Sequence, residues 1–229
     1  MYARHGKRLL DFLLGAMLSL LLVPLLVVVA VVVACAMGRP VIFRQLRTGR
    51  NGRNFTLYKF RTMTGACDVD GKLRSDRERL TWLGRMLRAS SLDELPQLWN
   101  LVRGDVSLVG PRPLLPEYWD RYTTEQRRRH VVRPGMTGLA QVSGRQSLPF
   151  SKRFQLDNWY VDNLGLWVDL KIIAASVVVV ISRRDVKHGQ DVREVDDVGL
   201  HELTWREKQG TKGSGQHDHL PGTDRLKAA

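Results

Sequence analysis

The chain has 229 residues, with 36 Lys plus Arg against 23 Asp plus Glu and a formal net charge of +13. That length suits one compact domain with appendages and a real core. The charge points to anionic partners: phosphorylated substrates, an anionic membrane surface or nucleic acid. The two cysteines, Cys35 in an apolar run and Cys67 in a polar one, speak against a disulfide framework.

From Phe12 to Met37 no residue carries a charge, and Leu and Val dominate. The run exceeds the roughly 20 residues needed to cross a bilayer core. It is also too long for a signal peptide, whose apolar part is about 7–15 residues, despite the basic start at Arg4, Lys7 and Arg8. Arg39, Arg44, Arg47 and Arg50 follow the run, so the Lys and Arg that mark a cytoplasmic face stand at both ends. Pro24, near the middle, cannot donate its N–H to a helix. Two topologies meet these facts equally well. One is a kinked span. The other is a re-entrant helix broken at Pro24, with arms of about 12 residues, or roughly 18 Å, that pass the midplane of a ~30 Å core and return. Asp11 is expected to pair with Arg8 at the interface.

Val41-Ile42-Phe43 and the alternating Phe55-Thr56-Leu57-Tyr58-Lys59-Phe60 flank a Gly- and Arg-rich turn, the pattern of a β-hairpin with Lys59 and Arg61 near the end of its second strand. Cys67 to Glu78 is polar and reads as a surface loop. Leu80, Leu83 and Leu87 fall at helical spacing, with Arg85 between them and Arg88 next to the last, an amphipathic helix. It leads into Ser90-Ser91-Leu92-Asp93-Glu94-Leu95-Pro96-Gln97-Leu98-Trp99-Asn100. Proline is tolerated only in the first turn of a helix, so Pro96 sets a helix start close to Asp93. Both carboxylates then face the positive end of a helix dipole and are expected to be ionised. An ionised pair with arginines nearby suits a divalent cation or a carboxylate nucleophile. Ordinary helix capping accounts for Asp-Glu by itself.

A short apolar strand after Asn100 ends in Gly110-Pro111-Arg112-Pro113, a stiff loop that displays a guanidinium suited to bidentate phosphate contact. Pro116 to His130 reads as a helix with a basic end. Arg133 to Arg145 reads as a Gly-rich loop, a strand and a second Arg loop, and it matches neither a P-loop nor G-x-G-x-x-G. Leu166 to Ile181 is apolar but interrupted by Asp169 and Lys171, as suits a helix lying against a membrane face. Beyond Arg183 the chain turns polar, and residues 205–229 are expected to be disordered.

Together these blocks resemble the bacterial sugar transferase family, the monotopic phosphoglycosyl transferases. The resemblance rests on Lys7-Arg8 with Asp11, Tyr58-Lys59-Phe60-Arg61-Thr62-Met63, Leu92-Asp93-Glu94-Leu95-Pro96-Gln97, Gly110-Pro111-Arg112-Pro113, and Arg133-Pro134-Gly135 with Thr137-Gly138. They cover roughly residues 1–185, and the size is that of the small members. The resemblance implies a mixed α/β fold on the cytoplasmic face of the membrane, with a re-entrant helix broken at Pro24 and amphipathic interfacial helices. It divides the chain into a membrane helix (1–38), a catalytic domain (39–185) and a polar tail (186–229). It implies transfer of a sugar phosphate from a UDP-sugar to polyprenol (undecaprenyl) phosphate with release of UMP, the first membrane step of glycan or glycoprotein synthesis. Asp93 would be the nucleophile and contact Mg²⁺, with Glu94 as its partner. Lys59, Arg61, Arg88, Arg112, Arg133 and Arg145 would bind substrate. Its partners would be the two substrates and membrane lipids, with no nucleic acid; the sugar and the oligomeric state stay open. Small members often have Ser before the helix-breaking Pro, where this chain has Val23. The competing function is a membrane-tethered basic module that binds anionic lipid or nucleic acid. It explains the charge and the anchor but gives the Asp-Glu-Leu-Pro block no role.

Overall fold

The computed structural model describes residues 2, 6–144, 147–182 and 195–200. The chain starts with α1 (Lys7–Met37), an α-helix of 31 residues with Pro24 inside it. The two arms expected on either side of Pro24 form one continuous helix. The proline removes one hydrogen-bond donor, and the long uncharged runs that flank it carry the helix through. By length and composition α1 is able to cross a membrane.

The helix is docked along most of its length. Leu18 and Leu22 pack on Leu98 and Leu101 of α4 (Gln97–Arg103) and on Val106. Further along, Leu26, Val29, Ala30, Val33 and Met37 pack with Phe60 and Leu87. Arg8 donates to Leu101 O at 2.8 Å and Val102 O at 2.7 Å, carbonyls at the end of α4 where the dipole favours a cation. Asp11 accepts from Leu108 N at 3.0 Å. The expected Arg8–Asp11 pair is therefore absent among the described residues, because each side chain satisfies backbone groups of the body instead. At its start, α1 is tied down by Lys7 Nζ, 2.5 Å from Asp169 Oδ2.

The hairpin forms as the alternation predicts. Strands β1 (Ile42–Thr48) and β2 (Asn54–Phe60) pair antiparallel, from Ile42 opposite Phe60 to Thr48 opposite Asn54. After the loop and one capped turn, α2 (Asp76–Arg79), comes α3 (Trp82–Ala89), whose N-cap Thr81 accepts from Gly84 N at 2.9 Å. Leu80 falls before the helix and bridges to Met63. Gly84 is required by closeness: a Cβ there would stand 1.9 Å from Thr62 O.

Beyond α4, β3 (Ser107–Val109) pairs in parallel with β4 (Gly135–Thr137). The two glycine-containing loops meet here, and a Cβ on Gly135 would lie 2.1 Å from Gly110 N. The stretch Pro116 to His130 is not one helix. It is a 3-10 segment (Pro116–Arg121), an extended Tyr122, a new start at α5 (Thr124–Arg127) and a 3-10 turn (Arg128–His130). Thr123 restarts the helix through a capping box with Gln126, and the break lets both Tyr118 and Tyr122 turn inward. The strand of the next stretch is β4, inside its Gly-rich part. The apolar run after it folds as α6 (Leu139–Gly144), and Arg145 lies outside the described residues.

Two longer helices complete the fold, α7 (Phe150–Asp162) and α8 (Leu166–Ser182). The carboxylate of Asp169 accepts from Tyr160 Oη at 2.7 Å and from Tyr2 Oη, joining α7, α8 and the N-terminus. Trp167, Val177 and Val178 of α8 are exposed, as are Leu13, Leu20 and Val28 of α1. Of the polar tail, Val195 and Leu200 pack with Tyr118, Phe150 and Phe154. The expected disorder at 205–229 falls outside the described residues.

Candidate active site

Asp93 and Glu94 lie in a 3-10 turn (Leu92–Glu94) between α3 and α4, with Pro96 capping α4. The chain enters this turn through Ser91 in the left-handed region (φ 58°), unusual for a residue other than glycine. The turn is held from behind by Asn100, which has no exposed surface. Asn100 Nδ2 donates to Thr56 O at 2.8 Å and Asp105 Oδ2 at 3.0 Å, and its Oδ1 accepts from Tyr58 N at 3.2 Å. Through this one side chain α4 is registered on β2, the strand that carries Lys59.

Glu94 sits between two cations. Its Oε1 is 2.6 Å from Lys59 Nζ and 3.0 Å from Arg112 Nη2. Burial pushes the Glu94 carboxyl up, but Arg112 and Lys59 outweigh it and hold the group at about 2. Burial pulls Lys59 down against the attraction of Glu94, while Arg112 is raised chiefly by Glu94. Asp93 is different. It is 7% exposed and makes no side-chain hydrogen bond or ion pair among the described residues. Burial pushes its carboxyl up to about 6, opposed by Lys59 and reinforced by Glu94. The helix-start argument led to two readily ionised carboxylates; only Glu94 behaves so. Desolvation outweighs the dipole at Asp93.

Four of the residues singled out from the sequence therefore gather around Asp93: Glu94, Lys59, Arg112 and Arg88, the last two lowering its carboxyl electrostatically. Arg88 Nε also donates to Thr62 Oγ1 at 3.1 Å. Arg61 and Arg133 are engaged elsewhere. Arg61 donates to Met63 O at 2.8 Å and to Met37 O at 3.2 Å, at the end of α1. Arg133 Nε donates to Gly104 O at 2.9 Å, just past α4. Sequence reasoning passed over Asn100, a polar residue at an inward helix position, and the buried pair Arg129–Asp157, at 2.7 Å. The signal for Asn100 was its place between Leu98 and Leu101, both core positions.

No group of three or more His, Cys, Asp or Glu side chains gathers among the described residues. A divalent ion at this site would take one or two protein carboxylates and complete its shell from water and phosphate oxygens. Mg²⁺ accepts such a donor set, and the unengaged oxygens of Asp93 fit it.

The profile of the bacterial sugar transferase family matches residues 2–183. The chain belongs to the bacterial sugar transferase family. It is 51% identical over 156 residues to the uncharacterized sugar transferase EpsL of Bacillus subtilis, covering 68% of this chain and 77% of that one. It is 41% identical over 183 residues to the UDP-glucose:undecaprenyl-phosphate glucose-1-phosphate transferase of Caulobacter vibrioides, covering 75% and 68% of the two chains. Over 164 residues it is 40% identical to the undecaprenyl-phosphate galactose phosphotransferase of Salmonella typhimurium, covering 64% of this chain but 34% of that protein. The chain thus spans about a third of the length of the Salmonella relative.

Proposed function

We propose that the protein transfers a sugar 1-phosphate from a UDP-sugar to undecaprenyl or a related polyprenyl phosphate, releasing UMP and leaving a polyprenyl diphosphate sugar. The observation that carries this is a buried carboxylate, Asp93, with no side-chain hydrogen bond or ion pair among the described residues, beside a carboxylate fixed between Lys59 and Arg112. The names of the Caulobacter and Salmonella relatives support the same substrate classes. Asp93 attacks the sugar-bearing phosphorus of the diphosphate, the bond to the bridging oxygen breaks, and UMP leaves with the electron pair. An oxygen of the polyprenyl phosphate then attacks the same phosphorus and frees the Asp93 carboxylate. Lys59, Arg88 and Arg112 oppose the repulsion among these anions, on the order of 4 kcal/mol per pair at 4 Å and an effective dielectric near 20. Glu94 keeps Lys59 and Arg112 oriented. Mg²⁺, held by Asp93, would neutralise diphosphate oxygens when bound.

The docking of α1 supports a single-face arrangement at the membrane: both halves of this helix pack on one body, as expected if body and helix sit on the same face of the bilayer. We take that face to be the cytoplasmic one, on the strength of the basic residues at both ends of the apolar run. A site held there meets a soluble donor and a lipid acceptor.

The test is a reaction with UDP-sugar and no acceptor. The covalent route releases UMP in one burst no larger than the enzyme concentration, and intact-mass spectra show a sugar phosphate that maps to Asp93. Asp93→Asn abolishes both. Normal turnover with acceptor but neither burst nor adduct means direct attack by the lipid phosphate, with Asp93 restricted to holding the metal.

A further inference from the structure

Arg112 stands between Pro111 and Pro113, neither of which has an N–H to donate. The loop is therefore fixed through its carbonyls, and each one from Pro111 to Leu114 has a donor. Pro111 O accepts from Gly135 N at 3.0 Å and Leu114 O from Thr48 N at 3.1 Å. These bonds join backbone to backbone, at β4 and β1, and do not depend on the side chains. The two between them do. Pro113 O accepts from Arg47 Nη1 at 3.4 Å, the longest of the set. Arg112 O accepts from Arg129 Nη2 at 2.7 Å, the shortest.

Arg129 is itself held from its far side. It is 3% exposed, and the same Nη2 lies 2.7 Å from the carboxylate of Asp157, which is 2% exposed. The guanidinium also stands over the ring of Phe154, 5.3 Å from its centroid. Phe154 and Asp157 are at i and i+3 on α7 and so share one face of that helix. The Arg112 side chain, by contrast, is 45% exposed and is tied to Glu94. Packing does little to orient it, so its direction depends on its own backbone, at the peptide whose carbonyl Arg129 holds. A buried ion pair adds little net stability over apolar side chains of similar size. What this one supplies is direction, because a planar guanidinium offers its hydrogens at fixed angles.

We propose that Arg129 and Asp157 are positioning residues for Arg112. The pair fixes the peptide between Arg112 and Pro113, so that the Arg112 guanidinium meets Glu94 and the donor phosphate with little freedom left to lose. Neither residue touches the reacting atoms; both act through Arg112. Helix α7 thereby supports the catalytic cluster, although the charged side chains around Asp93 come from other elements. This rests on the transferase reading above.

The experiment uses the full chain in detergent micelles with undecaprenyl phosphate. It follows UMP release from UDP-glucose, UDP-galactose and their N-acetylated counterparts. Arg129→Met and Asp157→Leu are introduced together, since removing one partner alone strands a buried charge. The expected result is a Tm near that of the unaltered protein and a kcat/KM about tenfold lower. The same replacement is then made beside Arg112→Ala. There it should lower kcat/KM little further, because the residue it acts through is gone. A role confined to stability would give the same factor in both backgrounds. If that variant does not fold, Arg129→Gln with Asp157→Asn carries the same comparison, since Gln is shorter than Arg and the pair stays polar and neutral. A folded double variant with unchanged kcat/KM, or with equal losses in the presence and absence of Arg112, overturns the positioning role and leaves the transferase reading standing. An unaltered protein that releases UMP from none of these UDP-sugars overturns both.

Discussion

Asp93 is a residue whose folding environment opposes the form that chemistry needs. Its carboxyl titrates at about 6 rather than 3.8, with burial the leading cause. Between those two values the folded protein binds more protons than the unfolded chain, so stability falls as pH rises through this window and stays reduced above it. A shift of this size corresponds to about 2–3 kcal/mol at neutral pH. Asp93→Asn is therefore expected to be inactive but more stable, with a higher Tm at pH 7.5 and little gain at pH 4. A variant that is inactive and also less stable at pH 7.5 contradicts this account. The protonated carboxyl is no nucleophile, so UMP release is expected to fall on the acid side; Mg²⁺ held by the same carboxylate favours its ionised form, so the limb should lie below the metal-free value of about 6. Glu94, held at about 2 by Arg112 and Lys59 against its own burial, contributes no limb in that range.

The elements that carry this chemistry are connected by a few buried polar contacts. Asn100 is the clearest, with three hydrogen bonds binding α4 to β2 and to the turn at Asp105. Asn100→Ala strands the N–H of Tyr58 and the carbonyl of Thr56, and should cost about 2–4 kcal/mol in denaturant unfolding. UMP release should fall further than stability explains, since β2 and α4 position Lys59 and Glu94. An activity loss that vanishes once the folded fraction is taken into account would reduce Asn100 to scaffolding. Much of this architecture was legible in the sequence. Strict alternation gave the hairpin, and leucine spacing gave α3. The Asp-Glu-Leu-Pro and Gly-Pro-Arg-Pro blocks singled out Asp93, Glu94 and Arg112, and the family resemblance added Lys59 and Arg88. What was not legible depended on tertiary context. Leu139 to Val142 is too short to reveal a period, so helix and strand look alike there. Tyr118 and Tyr122 end the expected helix by turning inward, and the start of α4 hides how far Asp93 is desolvated.

At the scale of the whole molecule, the decisive feature is that the body follows α1 along its length. Thirty-one residues rise roughly 46 Å at 1.5 Å each, more than the ~30 Å of a hydrocarbon core. Near the N-terminal end of α1, Lys7 pairs with Asp169; at its C-terminal end, Arg61 donates to Met37 O. A span that carried these ends to opposite faces would draw the body between them into the bilayer, including Arg8, Asp11 and the wholly buried Asn100. Charged groups at that depth cost several kcal/mol each. Holding the helix on one face avoids this. Its exposed leucines and valines then meet lipid beside the exposed Trp167 and Val178 of α8. Positions before Phe12 and after Met37 are therefore expected on the same, cytoplasmic side. The check is a protein lacking Cys35 and Cys67, with Ala3→Cys or Arg50→Cys introduced singly, labelled in intact cells by a thiol reagent that does not cross the inner membrane. Both positions should stay unlabelled until the membrane is opened. Labelling of position 3 alone would mean a conventional span, and the packing of both helix halves on one body would need another explanation. Labelling of both would keep the single-face geometry and move the site to the opposite side, away from a cytoplasmic supply of UDP-sugar.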